Sequence, residues 1–218
     1  LIGLALTTLI GSNIINIDPV LYDIFFKEYK LESGDTAFSL GAGVGEEIEY
    51  MSERVGENGK VFAIEADPHI FKELEENIQK YKYKNVIALN IAITDFIGSI
   101  YIVDAGGVTN YTTSYKKRNS SLVNCTTMDE LTKEFNLDTI DYIKVNIEGD
   151  EKQLLNGFKE RYSIVKNWCI SCHDFTGIHN QRTIEFVKDF FKEKEMDYRQ
   201  YDSEFNFARF YVYVNNSI

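Results

Sequence analysis

The sequence is short of the residues that staple, break or span. It has three cysteines in 218 residues. That odd number without a regular framework disfavours a disulfide-held secreted fold and makes a reducing compartment, the cytoplasm, the expected location. It has only two prolines. Basic side chains are outnumbered, 23 against 34 acidic ones, for a formal net charge of -11. Nucleic-acid backbones and anionic membrane surfaces are both bound through clustered Lys and Arg, so neither is an expected partner. No uninterrupted apolar run reaches the ~20 residues of a membrane-spanning helix, and no repeat or low-complexity tract stands out. What is present is a chain 44% hydrophobic and 14% aromatic, ample for one packed domain of ordinary size.

Residues 1–17 carry no charge, but Thr7, Thr8, Gly11, Ser12 and Asn13 interrupt them. No basic region precedes the run and there is no initiator Met. It reads as part of an N-terminal helical arm, residues 1–33, packed on a domain that occupies residues 34–218; a trimmed leader is the alternative.

Short apolar runs alternate with helical patterns, the mark of a parallel α/β sheet. Helices are predicted over residues 20–29, behind Asp18 and Pro19, and over 44–55, 68–81, 128–135, 151–158 and 182–194. Strands are predicted over 36–40, 61–65, 86–92, 100–103, 122–126, 142–147 and 168–172, with a closing antiparallel pair over 198–201 and 207–214. Residues 104–121 are polar and rich in Gly, Thr, Asn and Ser. They read as a structureless flap over an acceptor site, with Tyr111 and Tyr115 to stack on a sugar and Lys116, Lys117 and Arg118 to meet an acidic group; a plain connector is the alternative.

The most informative segment runs from Ser39 through Gly41-Ala42-Gly43-Val44-Gly45. It joins a strand to a helix, and its glycines allow a tight turn and a close backbone approach to a ligand. The spacing is G-x-G-x-G rather than the G-x-G-x-x-G of dinucleotide binders. Glu65 ends the next strand, where an acid in nucleoside-binding α/β folds accepts ribose hydroxyls. Strand, turn, helix, strand and acid together point to an adenosine-containing cofactor.

These residues resemble the FkbM family of S-adenosylmethionine-dependent methyltransferases. The likeness runs from about Gly34 to His173. It includes Gly34-Asp35, the glycine turn, Glu57-Asn58-Gly59-Lys60-Val61, Ile64-Glu65-Ala66-Asp67-Pro68, residues 90–95 and Thr126-Thr127-Met128-Asp129. Its most specific piece is Asp141-Tyr142-Ile143-Lys144-Val145-Asn146-Ile147-Glu148-Gly149-Asp150-Glu151, similar to the family's Asp-Phe-Ile-Lys-Ile-Asp-Val-Glu-Gly-Ala-Glu. The resemblance implies a class I methyltransferase (Rossmann-like) α/β fold: a mostly parallel seven-stranded sheet, an antiparallel last strand and helices on both faces. It implies O-methylation of a hydroxyl on a sugar, glycan or secondary metabolite. By that resemblance Gly41, Ala42, Gly43 and Gly45 line the methionine end of the cofactor and Glu65 binds its ribose. Ala66 and Asp67 lie beside the adenosine, and Asn90, Ile91 and Ala92 flank the adenine. Ser39 and Asn146 occupy cofactor-site positions at which the family usually has Asp, so each departure removes a negative charge from the place of the sulfonium.

An aliphatic hydroxyl is a weak nucleophile, so a base that takes its proton contributes about 10²–10⁴-fold. Candidates lie at the carboxyl ends of the strands: Asn146 and Glu148 after the fourth core strand, His173 and Asp174 after the fifth. Asn146 cannot be a base, whereas His173 has a suitable ordinary pKa of about 6.5. A structural histidine is the alternative. Glu148, Asp150, Glu151, His173 and Asp174 also compose a minority reading as a divalent-cation site, although Asp150 and Glu151 equally suit the start of a helix; the main expectation is no metal. Cys169 and Cys172, three apart on a strand, point to opposite faces and read as core. Two rivals remain at this point, a nicotinamide-dependent oxidoreductase and a methyltransferase-like binding protein that has lost its chemistry.

Overall fold

The computed structural model describes residues 18–104, 110–176, 182–202 and 208–216. Most of the apolar arm, residues 1–17, lies outside them, as do His179 and part of the expected flap.

Asp18 accepts the N–H of Val20 and Pro19 takes the first position of helix α1, Pro19–Phe25. The helix stops well short of residue 29. Ile24, Phe25 and Phe26 are all buried, and three consecutive residues cannot share one helical face. The chain turns out instead, and the hydroxyls of Tyr142 and Tyr213 take the carbonyls of Phe25 and Ile24.

Strand β1, Thr36–Leu40, leads into the glycine turn and helix α2, Ile48–Val55. Then come β2, Lys60–Ile64, α3, Pro68–Tyr81, and β3, Val86–Leu89. Helix α3 begins on an Asp67 cap with Pro68 behind it and ends at Lys82 in the left-handed conformation. After an excursion, α4, Met128–Glu134, leads to β8, Ile140–Val145, α5, Glu151–Asn156, and β9, Val165–Ser171. Helix α6, Ile184–Glu193, precedes the last pair, β10, Asp197–Gln200, and β11, Tyr211–Asn215.

These strands form one seven-stranded sheet in the order β3-β2-β1-β8-β9-β11-β10. All central pairings are parallel, and β11 runs antiparallel to both of its neighbours. The expected architecture is therefore present. One face packs Ile24, Phe26, Ile48, Met51 and Leu74 from α1, its C-cap, α2 and α3 against Ala37, Val61, Ala63 and Tyr142. The other packs Leu131, Leu154, Leu155, Val187 and Phe191 from α4, α5 and α6 against Phe38, Phe62, Ile143, Val145 and Trp168. Cys169 lies in the first core and Cys172 in the second, as their spacing requires.

The excursion is a four-stranded sheet. Strands β4, Ala92–Ile93, β5, Gly98–Val103, β6, Tyr111–Thr113, and β7, Ser120–Thr126, pair in the order β4-β7-β5-β6. This corrects two expectations. The third core strand ends at Leu89, and residues 92–93 join the small sheet. The stretch expected to be structureless contains β6 and the start of β7, with residues 105–109 outside the described part. The signal is faint because one face of this sheet is open to solvent and its strands are correspondingly polar.

No helix among the described residues is long and apolar enough to cross a membrane.

Candidate active site

The carboxyl ends of β1, β2 and β8 converge, and the loops that leave them build the site. After Leu40 the chain does not enter a helix at Val44. Gly41, Gly43 and Gly45 take φ of +73°, +56° and +96°, a region that side chains resist. The N–H groups of Gly41 and Ala42 both bond Ile64 O, Gly45 N bonds Ala42 O and Ile48 N bonds Gly45 O. This winding uses residues 41–47 as a turn and delays α2 to Ile48.

The glycines do different work. A Cβ on Gly41 would sit 2.0 Å from the carbonyl oxygen of Asn146, and one on Gly45 would meet Leu74 at 2.9 Å. A Cβ on Gly43 would meet nothing within 4 Å. The middle glycine thus faces open space, where only a ligand would feel a side chain. Beside it, Glu65 accepts Gly43 N–H on one oxygen and Asp67 N–H on the other, each at 2.9 Å. Burial holds the Glu65 carboxyl above its usual range, against the pull of these two N–H groups.

The other expected cofactor residues divide by role. Asn90 donates to the carbonyls of Glu65 and Ala66, and so braces the loop after β2. Asp67 caps α3 with one oxygen and accepts Asn110 with the other, which leaves it buried. Ala42, Gly45 and Ala92 are buried, while Gly41, Gly43, Glu65, Ala66, Asn90, Ile91 and Asn146 keep partial exposure. Ser39 is fully buried and is not at the surface of the site. Its hydroxyl donates to Glu47, whose carboxylate also takes the Lys144 ammonium at 2.7 Å. Lys144 reaches on to the Gly41 carbonyl at 2.7 Å. A buried carboxylate therefore does stand next to position 39, supplied from the end of the turn. Sequence reasoning missed Glu47 and the role of Lys144. An acid eight residues from a strand serine carries no local signal, although a lysine inside a core strand does.

Across the mouth from this turn, β8 ends at Val145, and Asn146 N–H bonds Leu40 O. The chain then bends through Glu148 at φ +55° and Gly149 at φ +103°. A glutamate in the left-handed region is uncommon and marks a position held by its surroundings. His173, in the short turn after β9, is 2% exposed and lies between two carboxylates. Its Nδ1 is 2.9 Å from Glu151 and its Nε2 is 3.3 Å from Glu148. Glu151 is buried and also accepts Thr183 Oγ1–H at 2.8 Å and Gly149 N–H at 3.2 Å. Burial opposes charge on His173, but the hydrogen bonds to Glu148 and Glu151 outweigh it and lift the pKa to about 10. That lies well above the ordinary imidazole value on which the sequence reading of His173 relied.

Asp150, beside this group, accepts Thr112 Oγ1–H at 2.9 Å from β6. Burial pushes its carboxyl up to about 7, with Thr112 opposing and Glu151 adding to the rise. Asp174 does not enter the group; it accepts the N–H of Thr183 and Ile184 at the start of α6. No three His, Cys, Asp or Glu side chains among the described residues are arranged to hold a metal ion. Lys117 lies over the rings of Tyr111 and Tyr115. His69, in the first turn of α3, is exposed.

Comparison with known proteins matches this geometry to a family. The profile of the Methyltransferase FkbM domain matches residues 39–200. The FkbM methyltransferase of Methylobacillus flagellatus superposes with a TM-score of 0.62 over 88% of this chain and 47% of that one, at 14% identity. A SAM-dependent methyltransferase from Aquifex aeolicus gives a TM-score of 0.53 over 90% and 92% of the two chains, at 18% identity. Among sequences, a protein-L-isoaspartate O-methyltransferase of Methanococcoides burtonii is 33% identical over 72 residues, 33% of this chain and 36% of that protein. The chain thus aligns with about a third of that relative and about half of the Methylobacillus protein. The fold is the class I methyltransferase fold.

Proposed function

The chain belongs to the FkbM methyltransferase family, and on that premise we propose that it is an S-adenosylmethionine-dependent O-methyltransferase acting on a hydroxyl of a sugar, glycan or other small molecule. The observation that carries the reading is the joint between turn and acid. Gly43 N–H is bonded to Glu65, and the side of Gly43 where a side chain would stand is open. That cradle fits a nucleoside with an amino-acid tail. Gly41, Ala42, Gly43 and Gly45 would hold the tail, and Glu65 would accept the ribose hydroxyls. Ala66, Ile91 and Asn90 would border the base, with Asp67 fixing their loop from beneath. When bound, the cofactor supplies an electrophilic methyl group on a sulfonium that leaves as a neutral thioether.

The chain's own part is to place the acceptor in line, which can contribute about 7–11 kcal/mol of the barrier, and to take its proton. Glu148 and Asn146, which keep partial exposure, would border the acceptor, with His173 buried behind Glu148. The partly exposed carboxylate of Glu148 favours a neutral hydroxyl over an anionic acceptor such as a carboxylate. The glycine spacing and the family both oppose a nicotinamide cofactor. The test is a screen of glycan and polyol acceptors with methyl-labelled S-adenosylmethionine. Label in a methyl ether supports the reading, and label in a methyl ester or on nitrogen would replace it.

A further inference from the structure

His173 faces an acceptor-only group on each side. A neutral imidazole has one N–H and one lone pair, so it would turn that lone pair toward one of the two carboxylates. Only the imidazolium presents an N–H to each, in a hydrogen bond to Glu151 at 2.9 Å and an ion-pair contact with Glu148 at 3.3 Å. The two acids are not equivalent. Glu151 is fully buried and is pinned by Gly149 and Thr183. Glu148 keeps about a quarter of its side-chain surface, 24%, and sits on the strained backbone at the mouth.

We propose that His173 remains an imidazolium and is a positioning residue for Glu148, the carboxylate that takes the proton of the acceptor, with Glu151 as the buried counter-charge that keeps the ring protonated. The proposal rests on the methyltransferase reading for the identity of the acceptor proton, but not for the charge state of the ring. As the acceptor oxygen bonds to the methyl carbon, its proton passes to Glu148. The electron pair of the broken carbon–sulfur bond stays on sulfur. The imidazolium and Glu151 keep their charges throughout, so no charge is left unpaired behind the new Glu148 acid.

The charged and titratable groups around the ring are Glu148, Asp150 and Glu151 from the β8–α5 segment. Among the described residues, Asp174 in the ring's own turn, Cys172 just after β9 and Tyr211 on β11 are the further titratable groups of this region. The carboxylates favour the charged ring, and Cys172 and Tyr211 are themselves pushed up by burial, so they stay neutral beside it.

The experiment is ¹⁵N NMR of the ring nitrogens in the whole protein. The chain has three histidines, and His173 is assigned by its loss in His173→Gln. At pH 8 both His173 nitrogens should carry protons. In Glu151→Gln the titration midpoint should fall by more than one pH unit, a tenfold loss of proton affinity. A neutral His173 in the wild type at pH 8 overturns the proposal without any variant. Once the acceptor is known, kcat should drop about 100-fold or more in Glu148→Gln. In the wild type kcat should decline above pH 9, and in Glu151→Gln that alkaline limb should move to lower pH. A kcat that keeps rising through pH 10 would make His173 the base. Failure to bind S-adenosylmethionine, measured separately by calorimetry, would fault the functional reading and leave the NMR result standing.

Discussion

The N–H of Gly43 donates to the carboxylate of Glu65 at 2.9 Å. The middle of the glycine turn and the acid at the end of the neighbouring strand are thus one unit, 22 residues apart in the chain. This hydrogen bond ties the turn to the end of the neighbouring strand.

That unit separates two glycine variants. Gly43→Val should fold with a modest loss of stability, the cost of its +56° backbone, because its side chain enters open space. It should nevertheless bind no cofactor. Gly41→Val drives a Cβ into the Asn146 carbonyl and should unfold or precipitate. Thermal melts and calorimetry with S-adenosylmethionine check both, and unchanged affinity in Gly43→Val would remove the turn from the site.

Glu65→Gln should weaken cofactor binding by about 1–3 kcal/mol, the cost of losing a charged acceptor for buried hydroxyl donors. The pH dependence has a sign. Burial raises the carboxyl in the free protein, and bound hydroxyl donors favour its ionised form. Affinity should therefore fall as pH drops through the raised carboxylate range, and Glu65→Gln should lose that dependence. Binding of the wild type that is flat between pH 4 and 7 would contradict the assignment.

Much of this was legible in the residues. The alternation of runs identified a parallel sheet, and Asp67-Pro68 marked the start of α3 because a cap and a proline act locally. The glycine run Gly41 to Gly45 marked the turn after β1, and Glu65 the end of β2 against which it is hydrogen-bonded. The late start of α2 was not legible, since Glu46 and Glu47 suit a helix and only the winding of the turn excludes them. Strand β6 was hidden because half its surface is wet and its residues are polar. Residues 20–29 read as one helix, yet the hydroxyls of Tyr142 and Tyr213, which end it at Phe25, come from more than 100 positions away. The raised pKa of His173 depends on Glu148 and Glu151 meeting it from another strand end, a relationship that spacing along the chain does not carry.

The buried Glu47–Lys144 pair makes a prediction about Ser39. Ser39→Asp would place a second carboxylate against Glu47 and should destabilise the protein by several kcal/mol. Removing one partner of a buried pair costs about 3–5 kcal/mol, so Glu47→Gln alone should also be destabilising. The double variant Ser39→Asp/Glu47→Gln returns one carboxylate to Lys144 and should recover most of the loss. Denaturant unfolding of the four proteins measures the coupling, and strict additivity would mean that positions 39 and 47 are independent.

Stability should fall with rising pH through Asp150 and His173 in successive windows. His173 has its pKa raised from 6.5 to about 10 on folding. Its contribution is complete below about pH 6.5 and is lost as pH rises through 10, so the gap between wild type and His173→Gln should close from pH 7 to 10. Asp150 has its pKa raised from 3.8 to about 7, so the folded state holds its proton and stability falls as pH rises from 4 to 7. Asp150→Asn should gain on the wild type across that window and stay level above it. A gain that shrinks with rising pH would reverse the sign.

Isothermal titration of the purified chain with S-adenosylmethionine, alongside NAD, tests the central claim most directly. The account predicts one site for S-adenosylmethionine, lost in Gly43→Val, and no heat from NAD. Saturable binding of NAD, or no binding of S-adenosylmethionine to a folded wild-type protein, would contradict it.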